Sequence, residues 1–143
     1  MLTLEIITPQ KTIYKEEVDE VIIPTISGQI TILPNHVPLL SRITEGEITI
    51  KKTQKSEFLA ITGGFLEVSK DKVMILADYA IRSHEIEVSK AIEAQKRAER
   101  LMQEAKDKQN EKDFVFAEGE LRKALLEIKI AHKQKTRPTP LKD

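Results

Sequence analysis

The sequence predicts an α+β chain: an antiparallel β-sandwich over residues 1–84, an antiparallel two-helix hairpin over 85–135 and a disordered tail over 136–143. Three observations predict it. Four of five glycines and four of six prolines lie in residues 1–84, so that part turns often and the rest hardly at all. The first part reads as short β-rich runs closed by turn residues, as in a sandwich or barrel. The second carries two apolar seams with alternating spacings of three and four, as in paired helices.

The strand runs follow in order. Leu2, Leu4 and Ile6 alternate until Thr8-Pro9-Gln10, Val18 to Ile23 ends at Pro24, and Gln29 to Leu33 ends at Pro34. Gly46 to Lys52 alternates with Ile48 and Ile50 inward, and Ser56 to Ile61 leads into Thr62-Gly63-Gly64. Phe65 to Val68 and Val73 to Ala77 flank the hairpin connection Ser69 to Lys72. Val21-Ile22-Ile23 and Met74-Ile75-Leu76 are apolar on both faces, which predicts central strands or a sheet face covered by something else.

The helical seams are Val88, Ala91, Gln95, Ala98, Met102, Ala105 and Phe114, Ala117, Leu121, Ala124, Ile128, Ala131. Ile92 and Leu101 are expected to widen the first seam, and Asp113 to cap the second helix. Half of each seam is alanine, which permits close approach but buries little apolar area. Such short helices are marginal alone in water. The hairpin is therefore expected to hold weakly to itself, to depend on a second surface and to move at low cost. Gly119 loosens the second helix by about 1 kcal/mol relative to alanine.

Composition narrows the function. Lys plus Arg and Asp plus Glu are both 23, so the basic excess of a dedicated nucleic-acid binder is missing and no nucleic-acid partner is expected. The balance is a sum of unlike parts: residues 1–84 hold 9 basic and 11 acidic side chains, residues 85–143 hold 14 and 12. Zero cysteines exclude a disulfide framework and thiolate chemistry. No apolar run approaches the ~20 residues of a membrane span, and no secretory leader is expected.

No self-contained active site can be assembled. His36, His84 and His132 lack ligand spacing, so no metal is expected. No G-x-S-x-G occurs, and Gly63-Gly64 lacks the lysine and helix start of a phosphate loop. The acidic run Glu16 to Glu20 reads as a solvated strand edge. The basic residues Arg122, Lys123, Lys129, Lys133 and Lys135 read by default as a solvated helix face. Only Asp143 is acidic in the last fifteen residues, and that local excess fits an acidic partner.

Pro24-x-x-x-Gly28-x-Ile30-x-Ile32-Leu33-Pro34-x-His36-x-Pro38-Leu39-Leu40 resembles the signature of the epsilon subunit of bacterial-type F-type ATP synthases. Thr62 to Val68, Val73 to Ala80 and Ala91 to Arg100 match blocks that follow in that family. The resemblance implies a non-catalytic rotor part of a proton-translocating complex, without a cofactor of its own, on the cytoplasmic face of the bacterial membrane. It implies the gamma subunit and the membrane ring of proteolipid subunits as partners, with membrane contact only through partner subunits. By family position the loop with Gln29, Asn35, His36 and Pro38 faces the ring, although the family often has an acid where Gln29 stands. The hairpin is implied to inhibit ATP hydrolysis when extended, its basic second helix meeting an acidic segment of the catalytic beta (and alpha) subunits. Some members bind ATP through I/L-D-x-x-R-A; here Ile86, Glu87, Lys90 and Ala91 stand at that pattern, with Glu for Asp and Lys for Arg. Lysine lacks the planar fork of arginine, and Glu127 on the second helix repels phosphate, so weak or absent ATP binding is expected. From the residues alone, an unrelated adaptor and a nucleotide-sensing module remain as alternatives, the second disfavoured by Lys90 and Glu127.

Overall fold

The computed structural model describes the backbone of residues 1–136 and the side chains of residues 1–133. Lys135 and the expected tail beyond Thr136 lie outside those side chains and residues; Thr136 itself ends the second helix.

Ten strands precede the hairpin: β1 (Leu2–Ile7), β2 (Thr12–Val18), β3 (Glu20–Thr25), β4 (Gly28–Ile32), β5 (Leu39–Ile43), β6 (Gly46–Lys52), β7 (Lys55–Ile61), β8 (Gly64–Ser69), β9 (Lys72–Ala77) and β10 (Ala80–Arg82). One ladder runs β10-β7-β6-β3-β5-β8-β9-β1-β2, with β4 paired to β3. All pairs are antiparallel except β1 with β9, which run parallel. The link between β3 and β5 is a single pair, Thr25 with Ile43. There the sheet folds over into a sandwich. Its far edges meet again where Arg82 of β10 lies 5.1 Å from the Tyr14 ring of β2, and β2 also reaches β6, where Lys52 bonds Glu16 at 2.9 Å.

Alternation places the core. Leu2, Leu4, Ile6, Val21, Ile23, Ile48, Ile50, Leu59, Ile61, Leu66 and Ile75 are buried in one cluster whose members all lie between residues 2 and 80. Three strands escaped the sequence reading. β2 carries Lys15, Glu16 and Glu17 outward and buries only Tyr14 and Val18; β5 and the three-residue β10 sit among loop residues. β3 also runs through Pro24 rather than ending at it. Its pairing with β6 stops at Ile22, so the missing N–H of Pro24 breaks no bond on that side. Gly64 is required by close approach: a Cβ there would lie 2.1 Å from the Leu76 carbonyl oxygen.

A 3-10 turn, Ser83–Glu85, leads to α1 (Val88–Asp107) and α2 (Glu111–Thr136). The connection is shorter than the polar stretch predicts. The amides of Gln109 and Asn110 donate to the carbonyls of Lys106 and Ala105, and Gln109 takes φ 55°, which closes α1 in a Schellman arrangement. The cap of α2 is Asn110 rather than Asp113: the Asp113 amide donates to Asn110 Oδ1 at 3.1 Å, and Asn110 Nδ2 donates back to the Asp113 carboxylate at 2.8 Å. The two helices face each other through Ala91, Ala98, Ala105, Ala117, Ala124 and Ala131, all buried. Ile92 and Leu101, expected to widen the seam, are 38 % and 40 % exposed instead: each follows or precedes a seam position by one residue, about 100° around the helix, and so lies on its flank.

Candidate functional site

The second surface that the alanine seam requires is the outer face of β6 and β7. Strand β7 buries four consecutive residues, Phe58 to Ile61. Leu59 and Ile61 enter the sandwich core, whereas Phe58 and Ala60 point the other way and pack with Ile86, Ile130 and Ala131. The last turns of α2 therefore close over β7.

Polar contacts frame this apolar seam. Lys133 Nζ donates to both carboxylate oxygens of Glu47 at 3.0 Å and lies 5.9 Å from the Phe58 ring. Tyr79 donates its hydroxyl to Glu127 Oε1 at 2.8 Å, and Lys123 Nζ sits 3.8 Å from the centre of the same ring. Arg122 lies 3.7 Å from Glu45 and 3.2 Å from Glu118. Burial, and then the bond to Glu127, raise the Tyr79 phenol well above its usual pKa, so it is a proton donor at any physiological pH. On the sandwich edge Tyr14 is pushed up to about 12, mainly by burial and then by Glu16. Beside it Glu57 holds the Arg82 guanidinium charged.

The basic residues named from sequence are thus divided. Arg122, Lys123 and Lys133 are engaged by the sandwich, Lys129 is exposed, and the side chain of Lys135 lies outside the described residues.

The residues at the nucleotide-pattern positions are mostly brought together. Glu87, Lys90 and Ala91 line a cavity of about 310 Å³ between Tyr79, α1 and α2, along with Lys123 and Glu127. Ile86 leaves it and joins the cluster under Ile130. Four carboxylates, Glu85, Glu87, Glu120 and Glu127, face two ammonium groups, Lys90 and Lys123. Lys90 is paired with Glu87 at 3.0 Å and Lys123 covers Tyr79. Such a wall repels a polyphosphate.

The loop residues are not brought together. Asn35, at φ 68°, donates its amide to Asp71 Oδ1 at 2.6 Å, which ties the loop to the β8–β9 turn. His36 Nδ1 lies 2.7 Å from the Val37 carbonyl oxygen, and Pro38 is exposed. Gln29 is exposed near the opposite end of β4, opposite Pro24. At roughly 3.3 Å per residue, the strand separates it from Leu33 by about 13 Å.

Among the described residues, the other outer face of the sandwich carries large exposed apolar side chains beside Arg42 and Glu67. Phe65 and Leu76 pair directly across β8 and β9 and are 53 % and 51 % exposed; Leu40 on β5 is 74 % exposed. Ile7 is paired to Leu76, and Arg42 borders Phe65. This is the two-sided apolar run of β9 seen in the sequence, left uncovered among the described residues. Among the described residues no group of His, Asp and Glu could hold a metal ion, and no helix is long and apolar enough to cross a membrane.

Sequence reasoning missed Tyr79, Glu45 and Glu47. Each is an ordinary turn or strand residue, and its partner on α2 is 48 or more positions away, so no local pattern marks it.

Comparison with known proteins gives consistent results. Residues 1–83 match the family model for the ATP synthase, Delta/Epsilon chain, beta-sandwich domain. The ATP synthase epsilon chain of Dehalococcoides mccartyi is 40% identical over 139 residues, 96% of this chain and 96% of that one. That of Moorella thermoacetica is 41% identical over 131 residues, 91% of this chain and 96% of the relative. That of Halalkalibacterium halodurans is 38% identical over 130 residues, with coverage of 91% and 96%. In fold, the chain resembles one in the mitochondrial ATP synthase of Euglena gracilis, with TM-score 0.71, 22% identity, and coverage of 95% of this chain and 81% of that chain. It also resembles a chain of the central stalk and c-ring assembly of Tetrahymena thermophila, with TM-score 0.53, 18% identity and coverage of 59% and 68%.

Proposed function

The chain belongs to the ATP synthase epsilon chain family, and from that premise we propose that it is a non-catalytic rotor subunit that couples the gamma subunit to the proteolipid ring and restrains ATP hydrolysis through its hairpin. The observation that carries this reading is the contrast between the two outer faces of the sandwich. One is covered by the chain's own α2. The other exposes Leu40, Phe65 and Leu76 together with Arg42 and Glu67, and large apolar side chains exposed together on a folded domain mark a docking surface. That face is assigned to gamma.

The loop from Asn35 to Pro38 is assigned to the ring. It is stiffened by Pro34 and Pro38 and anchored to Asp71, as a contact that transmits torque requires. The chain meets the membrane only through its partners, at the cytoplasmic face.

The hairpin is assigned the regulatory role. Folded, it rests on β7 through one short apolar cluster and a few polar pairs. Extended, it presents its basic face to an acidic segment of the catalytic beta (and alpha) subunits. The sandwich core contains no hairpin residue, so this exchange leaves the domain intact.

The test is association with the purified gamma subunit. Phe65→Glu with Leu76→Glu is expected to weaken binding by about ten-fold or more, because the two exposed side chains pair directly across β8 and β9 and the change puts two charges there. Undiminished binding of the double variant contradicts the assignment of this face.

A further inference from the structure

The cations of α2 are not idle in the folded hairpin. Arg122, Lys129 and Lys133 are spaced seven and four apart. At about 100° per residue they fall within roughly 40° of one another and form a row along one rim of the helix. Two of the three face the acidic corner that begins β6: Arg122 lies 3.7 Å from Glu45, and Lys133 holds both oxygens of Glu47 at 3.0 Å. The Lys133 pair is the better shielded, with side-chain exposures of 31 % and 18 %. Lys129 between them is exposed.

We propose that Glu45 and Glu47 are an internal decoy: they occupy the cationic row of α2 and exclude an acidic peptide segment of a partner from it. This deepens the regulatory reading above and rests on it for the identity of the partner. In the folded hairpin a carboxylate approaching Lys133 meets Glu47 already bound there, and one approaching Arg122 meets Glu45, so it is repelled as well as displaced. Release of α2 frees Lys133 and removes Glu45 from Arg122, which keeps Glu118 of its own helix at 3.2 Å, and with Lys129 the row becomes a site for regularly spaced acids. The sandwich edge and the partner's acidic segment are thus alternative occupants of the same side chains. The strength of the internal pairs sets how readily the hairpin changes partner.

The decoy is tested by titrating a fluorescent, glutamate-rich peptide into the full-length chain at low ionic strength, where such pairs are least screened. The substitutions Glu45→Gln and Glu47→Gln keep side-chain shape and remove the competing charge. The double variant is expected to bind the peptide about five-fold or more tightly than the unaltered chain, as two released ion pairs allow. Adding Arg122→Gln and Lys133→Gln is expected to abolish that gain. A charge swap, Glu47→Lys with Lys133→Glu, re-forms the pair and is expected to bring affinity to the level of the unaltered chain or below. Equal affinity for the unaltered chain and the Glu45→Gln, Glu47→Gln variant overturns the proposal. So does a gain that survives loss of Arg122 and Lys133. This outcome is independent of ATP hydrolysis in the assembled complex, so failure of the decoy and failure of the regulatory reading are separately visible.

Discussion

Tyr79 donates its hydroxyl to Glu127 at 2.8 Å, joining the corner between β9 and β10 to the middle of α2. Lys123 caps the same ring at 3.8 Å, so one aromatic side chain anchors two consecutive turns of the helix. Tyr79→Phe keeps the ring and the cation above it but leaves Glu127 without this donor. A bond to a charged acceptor contributes about 1.5–3 kcal/mol, and the expected loss is the lower part of that range because Glu127 can reach water. Amide hydrogen exchange should accelerate across residues 123–131 and stay unchanged in β8 and β9.

Alkaline titration follows from the two tyrosines. Folding raises the pKa of Tyr14, to about 12, and of Tyr79 above the ordinary value of 10.0. A folded-state pKa above the unfolded one means stability that is fully present below pH 10 and lost as pH rises through the folded values. Each tyrosine contributes a slope of at most about 1.4 kcal/mol per pH unit. Stability should be flat in these groups below pH 10 and fall above it; Tyr79→Phe should remove part of the fall in the docked hairpin, read by circular dichroism against denaturant.

Gly119 lies within α2, where an added Cβ would meet only an Arg122 guanidinium nitrogen, at 3.7 Å. Gly119→Ala should therefore gain the helix-propensity difference of about 1 kcal/mol with no steric cost. Slower amide exchange in the first half of α2 is the readout.

ATP should bind the isolated chain only weakly. The cavity at Lys90 and Glu87 is walled by four carboxylates, and both of its lysines already have partners. Isothermal titration should show no submillimolar binding. Lys90→Arg alone should not create it, because Glu127 remains in place.

The layers of the fold were legible wherever local pattern carries the physics. Alternation marks Leu2, Leu4 and Ile6, and heptad spacing marks Ala91, Ala98 and Ala105, because burial on one face imposes a period. The doubly apolar character of β9 was also visible, and the hairpin has a second surface to pack on, the outer face of β7. β2 was not legible, since its charged middle residues mask a strand that buries only Tyr14 and Val18. The cap of α2 moved from Asp113 to Asn110 because both are good capping residues and only the length of the turn selects between them. Of the site, the basic row on α2 could be read. Its partners could not: Glu45, Glu47 and Tyr79 are brought to it by topology, and no sequence spacing encodes that meeting.

The central claim is that the hairpin is a detachable restraint carried by a self-sufficient sandwich. The most direct measurement is ATP hydrolysis by the assembled complex containing a chain cut to residues 1–84. The core cluster lies within residues 2–80, so the shortened chain should assemble and sustain coupling. The account predicts assembly comparable to that of the full chain and a raised rate of hydrolysis. A complex that assembles normally and hydrolyses ATP at an unchanged rate would contradict it.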